Sequence, residues 1–587
     1  MEWNELLTKE RQKQKERIIN YNKNLNASYI KWIDDSDYPN REFDDDYMTI
    51  ISSQAFRKLQ DKTQVFLLDR SDFVRTRLTH SFEVSTIAKQ IASFIFYELQ
   101  QTRPEKYRKI LEENPEFEHQ VETIVACAGL LHDTGNPPYG HYGEEVIRFW
   151  FKNKFKDPSF TWKGKPIGSL LTEQMKADFE YFEGNAQGLR IMSKSRLKDK
   201  QDYDINLTYS VMNTLVKYPN PSHRFDKKSE DLKLHKNGYY YAEKDIMDEM
   251  CQATGTKLAD GTYTRHPLVY IMEAADDIAY ATADLEDSVM KTAFSIDVFI
   301  KFYQEEVDRI VKESFESLIK NYEEDHERIE KIRKYQDLRN KMAQERRIYG
   351  KNDQESQERI AHMKSEREAL FNDSEEDQKI LEQINKITSE KNCASTPLWC
   401  LEKALQNHER SEEADFVLFE NWLSECRNEL IRVVAKTFVA NYDAIMDGSF
   451  QYDLFKDSYR ENSIKIMKKI MAHYVYDSAE IVDMELSAKR ILERLLKNFT
   501  QAAIKYDEKG EYGPTIVEDR FLLKIPYNFK ADYQGAKKRI EQDPNLTEEE
   551  KEVEKLYHKL LMVTDYISGM TDIFAANLYK TINGEMQ

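Results

Sequence analysis

Residues 122–145 read ETIVACAGLLHDTGNPPYGHYGEE. The apolar run predicts a helix that enters His132–Asp133 and then breaks at Gly135-Asn136-Pro137-Pro138, a stretch that cannot continue it. A helix ending this way places two adjacent donor side chains at a cavity mouth, where neutral imidazole and carboxylate can both reach a cation. Beyond the break, His141 and Glu144 are three apart and would be neighbours on one helical turn.

Working outward, RTRLTHSFEV at 75–84 carries His80. His80 opens a pattern with Val84, Ile87, Ile91, Phe94 and Leu99, which is helical spacing along one face. The imidazole therefore points where the apolar stripe points. A third element, VYIMEAADDIAYATADLEDS at 269–288, puts Val269, Met272, Asp276, Ala279/Tyr280 and Ala283 on one face. A carboxylate on such a stripe is costly unless a metal or a base neutralises it. The neighbouring stripe of Glu273, Asp277, Tyr280 and Asp284 is helical too, so periodicity leaves Asp276 and Asp277 as alternatives. A lone core histidine, a chance His-Asp dipeptide or a solvated acidic pair would each be unremarkable; all three in one chain point to a site.

Composition frames these motifs. Only 18 glycines and 14 prolines occur in 587 residues, against usual shares of about 7% and 5%, which argues for an all-α fold. Lys+Arg 86 against Asp+Glu 105 gives −19, so no general positive field attracts nucleic acid or anionic membrane. An anionic substrate needs a local basic pocket, and Lys217, Arg224, Lys227 and Lys228 form the nearest thing to an anion-binding loop. Five cysteines without CxxC spacing suit a reducing compartment and argue against a cysteine zinc site. The charged N-terminus lacks the apolar stretch of a signal peptide, and no run approaches the ~18 apolar residues of a membrane span. A soluble cytoplasmic protein is expected.

Four regions are expected: an N-terminal segment 1–47, a catalytic core 48–295, a charged helical insertion 296–415 and C-terminal helices 416–587. Within the insertion, about 313–392 is rich in Glu, Lys, Arg and Gln and reads as long solvated helices turning near 349–353. Residues 195–265 are the least helical part, with NGYYY and DGTYT as turns or a short hairpin.

The order His, then His-Asp, then Asp resembles the HD-domain metal-dependent phosphohydrolases. ISSQAFRKLQDKTQVF (51–66), RTRLTHSFEV (75–84), HDTGNPPYGHYGE (132–144), FEGNAQGLRI (182–191), MEAADDIAYATADLEDS (272–288) and DYISGMTDIFA (565–575) are similar to the bacterial dGTPase family. The resemblance thins at about 195–265 and fails over about 300–415. It implies an HD-type helical core with the insertion and C-terminal helices added. It also implies one divalent metal on His80, His132, Asp133 and Asp276, which selects Asp276 over Asp277. Two imidazoles and two carboxylates suit Mn²⁺ or Mg²⁺, with Fe²⁺ and Zn²⁺ as alternatives.

The implied reaction cleaves a deoxynucleoside triphosphate, dGTP favoured, at the α-phosphorus, releasing deoxynucleoside and triphosphate. By resemblance His141 is the acid/base and Glu144 orients it. Arg77 contacts the α-phosphate, Lys217 and Tyr218 the triphosphate and sugar, and Gln60 with Asp284 the 3′-hydroxyl. Tyr280 packs under the deoxyribose and excludes a 2′-hydroxyl. Expected partners are the dNTP, further copies in a hexamer or tetramer, and single-stranded DNA or a nucleotide effector. The competing expectations are an HD phosphodiesterase or nucleotidase, and a single-stranded DNA-binding protein with a secondary hydrolase activity.

Overall fold

The computed structural model describes residues 1–12, 42–66, 71, 73–194, 205–229, 231–349, 353–371 and 374–585. Among these, the only sheet is a pair of two-residue strands, Thr161–Trp162 and Lys165–Pro166, and the chain is all-α. The helices that position the site are α1 (Glu42–Ser52), α2 (Arg77–Thr102), α3 (Phe117–Leu131), α4 (Gly140–Lys156), α5 (Gly184–Ser193), α6 (Tyr209–Thr214) and α7 (Pro267–Met290). Next come α8 (Ile296–Lys320), α9 (His326–Tyr349), α10 (Gln354–Glu368), α11 (Glu375–Gln406), α12 (Glu412–Ala440) and α13 (Glu461–Met471). The last are α14 (Ala479–Ala503), α15 (Tyr527–Gln542), α16 (Glu548–Ser568) and α17 (Asp572–Ile582).

The chain divides into two units. The first comprises Met1–Asp287, Arg427–Ser458 and Tyr474–Gln587; the second comprises Ser288–Cys426 and Tyr459–His473. Residues 459–473, expected with the C-terminal helices, thus cluster with the second unit.

In the first unit α2 lies along α3. Val84, Ile87, Ile91 and Leu99 are buried at the expected helical spacing, joined by Ile95, while Phe94 is half-buried. Each buried aliphatic side chain contributes roughly 1.5–3 kcal/mol. The two helices approach closely at Gly129, where an added Cβ would stand 2.7 Å from the Ser85 backbone. A small residue there permits the approach. His132 follows Gly129 by three residues and His80 precedes Ser85 by five, so one close crossing brings both imidazoles together.

A second layer packs α4 against α14, and α14 against α16 and α17. Its core joins Ile147, Trp150 and Phe151 to Leu492, Leu495 and Phe499, and to Leu556, Leu560 and Ile567. The C-terminal motif is tied back through Asp572, whose carboxylate accepts from Thr63 N and from Tyr139 N, both at 2.9 Å.

One expectation is corrected at α7. This helix is buried on nearly every side, and its opening is a short patch around Asp276 that cuts across the expected stripe. Glu273, Asp276, Asp277 and Tyr280 are half-buried, while Val269, Met272 and Ala283 are buried among neighbours all round. A helix through the middle of a unit has no single apolar face, so periodicity cannot define one.

The second unit has its own small core of Val311, Phe315 and Leu318 (α8), Ile332 and Tyr335 (α9), Phe371, and Ile380 and Ile384 (α11). The charged helices therefore carry a narrow apolar stripe and are not solvated all round. Helices α9 and α10 pack on each other; of the turn expected near 349–353, residues 350–352 lie outside the described residues. The DGTYT segment forms a hairpin turn, with Lys257 and Tyr263 in an antiparallel bridge. No disulfide joins any of the five cysteines, all of which are described. No helix among the described residues is long and apolar enough to cross a membrane.

Candidate metal centre and active site

His80 sits one turn into α2, and Asp276 lies on the open side of α7. His132 caps the end of α3, with Asp133 next in the turn. Donor atoms of His80, His132 and Asp133 lie within 4.8 Å of one another. Asp276 joins them: its Oδ1 is 3.3 Å from His80 Nε2 and 3.4 Å from His132 Nε2.

Each ligand is oriented from behind. Asp276 Oδ2 accepts from Lys217 Nζ at 2.7 Å, which turns Oδ1 toward the imidazoles. Asp133 accepts from Arg77 Nη1 on Oδ2 at 2.7 Å and from Asn136 Nδ2 on Oδ1 at 2.5 Å. His132 Nδ1 is 2.8 Å from the Gly129 carbonyl; donating there fixes the tautomer whose bare Nε2 faces the cluster. That Nε2 is buried and makes no hydrogen bond, although Asp133 Oδ1 is only 3.5 Å away. A buried lone pair aimed between two carboxylates is what a cation satisfies, so the residues fit a divalent metal.

The electrostatics agree. Burial opposes charge on both carboxylates. Arg77 with the two imidazoles outweighs it at Asp133, and Lys217 with His132 outweighs it at Asp276, so both carboxyl groups are held below their usual range. For His132 burial works against a proton, but Asp133 and Asp276 prevail and raise its pKa. The pocket thus already favours positive charge at the His132 imidazole.

Beside this cluster the chain turns through Tyr139 and Gly140, both at positive φ. Gly140 packs on the Arg77 guanidinium, 2.6 Å from where a Cβ would stand, so His141 emerges next to the metal ligands. His141 Nδ1 lies 3.1 Å from Glu144 Oε2; the imidazole is 75% exposed and the carboxylate 3%. Glu144 is fixed further by Gly184 N at 2.7 Å and by Arg148 at 3.3 Å. Burial would raise the Glu144 pKa, but the hydrogen bond from His141 and nearby cations lower it. One group is anchored and one is free to meet a substrate.

A family model for the HD domain matches residues 77–171, which contain His80, His132, Asp133, His141 and Glu144. Proteins named deoxyguanosinetriphosphate triphosphohydrolase-like protein from Listeria innocua and Listeria monocytogenes are each 35% identical to this chain over 545 and 543 residues. Each alignment covers 92% of this chain and 94% of the relative. The chain belongs to the deoxyguanosinetriphosphate triphosphohydrolase family. The Yersinia enterocolitica protein named deoxyguanosinetriphosphate triphosphohydrolase is 28% identical over 576 residues, with the same coverage.

The remaining residues expected from the dGTPase resemblance are distributed as follows. Lys217 is largely buried on Asp276, whereas Arg224, Lys227 and Lys228 are exposed, so the four do not act as one basic loop. Arg77 is buried, with Nη1 on Asp133. Tyr218 is half-buried beside Lys217, with its carbonyl against Gly238. Tyr280 is half-buried one turn after Asp276, and Asp284 one turn further is fully buried. Burial pushes the Asp284 carboxyl well above its usual range, and Asp287 adds to this. Gln60 is exposed on the short helix Lys58–Asp61.

Other residues around the site were not singled out by sequence. Lys62 is fully buried and donates to the Asn136 carbonyl and, at 3.0 Å, to the Ser568 carbonyl, tying the metal turn to the C-terminal motif. Gly135 packs on the backbone of Gly184 and Gly188, leaving no space for a Cβ. The glycines of FEGNAQG are the one signal that could have shown this contact. Tyr476 donates to the Tyr280 hydroxyl at 2.5 Å and has no signature in sequence.

Proposed function

We propose that this dGTPase-family chain hydrolyses deoxynucleoside triphosphates, dGTP first among them, to deoxynucleoside and inorganic triphosphate. The observation that carries the reading is the convergence of His80, His132, Asp133 and Asp276 beside the His141–Glu144 pair, with Oδ2 of each carboxylate held by Lys217 or Arg77. The names of the Listeria and Yersinia relatives support the substrate class.

A divalent metal, Mn²⁺ or Mg²⁺ first, would be held by His80, His132, Asp133 and Asp276. Bound there, it would neutralise charge on the α-phosphate and favour ionisation of the attacking water. The protein's own groups supply the rest. Water oxygen bonds to the α-phosphorus as the bond to O5′ breaks, and the His141 imidazole delivers the proton that O5′ takes up. Glu144 holds the imidazole through Nδ1, leaving Nε2 to the substrate. Lys217 and Tyr218 meet the phosphates and sugar, Gln60 and Asp284 read the 3′-hydroxyl, and the Tyr280 ring lies under the deoxyribose. Arg77 holds Asp133 through Nη1 and meets the α-phosphate with the rest of its guanidinium.

A closed homo-oligomer, hexamer or tetramer, belongs to the same reading. The exposed apolar side chains Ile516, Val517, Leu523 and Tyr527, on and just after the helix Ile516–Lys524, support assembly. The charged insertion is then an assembly element dispensable for chemistry.

Product identification tests the activity. Mn²⁺-loaded protein is incubated with each dNTP and with GTP, and products are resolved by ion exchange. Deoxyguanosine with intact triphosphate is the expected pair. Release of dGMP and pyrophosphate, or of dGDP and phosphate, would overturn the proposed bond cleavage.

A further inference from the structure

Tyr280 sits where α7 opens, half-buried, one helical turn or ~6 Å along the axis from Asp276. A ring used as a floor for a sugar discriminates only if it cannot move, because a 2′-hydroxyl adds about one heavy-atom diameter. On the open side of a helix, packing alone leaves such a ring with rotamer freedom. In this chain the far end of the ring is fixed by another residue.

Helix α13 does not end in a regular turn. It runs into a π-helical turn, Ala472–Tyr476, which inserts one residue and swings the following side chains out of α-helical register. Val475 is thereby buried, and Tyr476 is half-buried with its hydroxyl donating to the Tyr280 hydroxyl at 2.5 Å. This is the short end of the range for O–H···O bonds. The contact joins positions 196 residues apart.

We infer that Tyr476 is a specificity-determining positioning residue, which locks the Tyr280 ring and thereby sharpens rejection of ribonucleotides. The inference rests on the proposed reading of Tyr280 as the sugar platform. Tyr476 itself need not touch the substrate, since its hydroxyl is engaged with Tyr280. The buried surroundings strengthen the bond. Burial raises both phenols, and carboxylates led by Asp284 add to this, so each keeps its proton and Tyr476 remains a donor.

The test compares kcat/KM for dGTP and for GTP in full-length Mn²⁺-loaded protein and in Tyr476→Phe, Tyr280→Phe, the double Phe variant and Tyr280→Ala. Each Phe variant deletes one end of the same bond while keeping the ring. The expected result is a roughly fivefold fall in the dGTP:GTP ratio in either single variant, the size of one hydrogen bond, with no further fall in the double. Mn²⁺ affinity and thermal midpoint stay at wild-type values. If Tyr280→Ala relaxes the ratio while the Phe variants keep it, or if they slow both nucleotides equally, the inference about Tyr476 is wrong and the platform reading stands. If Tyr280→Ala leaves the ratio unchanged, the platform reading itself fails and takes the inference with it. Should Tyr476→Phe not fold, Tyr280→Phe decides the question from the other end of the bond.

Discussion

Arg77 Nη1 lies 2.7 Å from Asp133 Oδ2, a buried ion pair between the first turn of α2 and the turn after α3. The guanidinium neutralises a carboxylate that the proposed metal also needs, so protein cation and metal cation share one anion through its two oxygens. Replacing Arg77 leaves that charge buried and uncompensated unless metal is present.

Arg77→Ala should therefore lower the stability of the metal-free protein by about 3–5 kcal/mol. Added Mn²⁺ should recover part of this, because the ion supplies the missing positive charge. Urea unfolding with Mn²⁺ and with EDTA measures both terms. An equal loss in the two conditions would show that Arg77 and the metal do not share Asp133.

Asn136 orients the other Asp133 oxygen, at 2.5 Å. Asn136→Ala should weaken Mn²⁺ binding about 10–100-fold, the usual effect of losing a group that aims a ligand. Isothermal titration reads this directly. Gly184→Ala should do more, since its Cβ would fall 2.1 Å from Asn136 Oδ1 and 2.8 Å from Glu144 Oε1. One methyl group would disturb the metal turn and the His141 anchor together.

The His141–Glu144 pair should be separable from metal binding. Glu144→Gln weakens the hold on His141, and turnover with dGTP should fall about 10²–10⁴-fold, with Mn²⁺ affinity unchanged. His141→Gln should lose activity by a similar factor. Loss of metal binding in either variant would place the pair inside the coordination sphere.

A histidine outside the site should contribute to acid lability. His266 is fully buried, its Nε2 3.0 Å from the Leu6 carbonyl and its Nδ1 accepting from Leu268 N at 3.2 Å. Burial lowers its pKa to about 4, only partly offset by the bond to Leu6. The unfolded chain takes up this proton near pH 6.5 and the native protein not until pH 4. The stability His266 confers is complete above pH 6.5 and is lost as pH falls to 4, by about 3 kcal/mol. Unfolding free energies across that window should be flatter in His266→Gln; an identical slope would assign the acid lability to other groups.

What the sequence determined was local. Scarce glycine and proline set the helices. The spacing from His80 to Leu99 faced an imidazole inward, the Gly-Asn-Pro-Pro break left His132–Asp133 at a helix end, and the three-residue step from His141 to Glu144 made them neighbours. Each follows from side-chain direction on a single helix, which 3.6 residues per turn fixes without reference to the rest of the chain.

The tertiary structure decided which elements face one another. Asp276 and Asp277 are indistinguishable by period on a helix buried on nearly every side, and the crossing of α2, α3 and α7 puts Asp276 against the imidazoles. Lys217 reaches Asp276 across 59 residues, Lys62 reaches Ser568 across 506, and Tyr476 reaches Tyr280 through a π-turn across 196. Such partners leave no periodic trace, because the separation of two packed elements along the chain is set by how the intervening helices stack. That stacking depends on close approaches such as Gly129 on Ser85 and Gly135 on Gly184, where a glycine leaves room for a backbone that only the three-dimensional structure identifies.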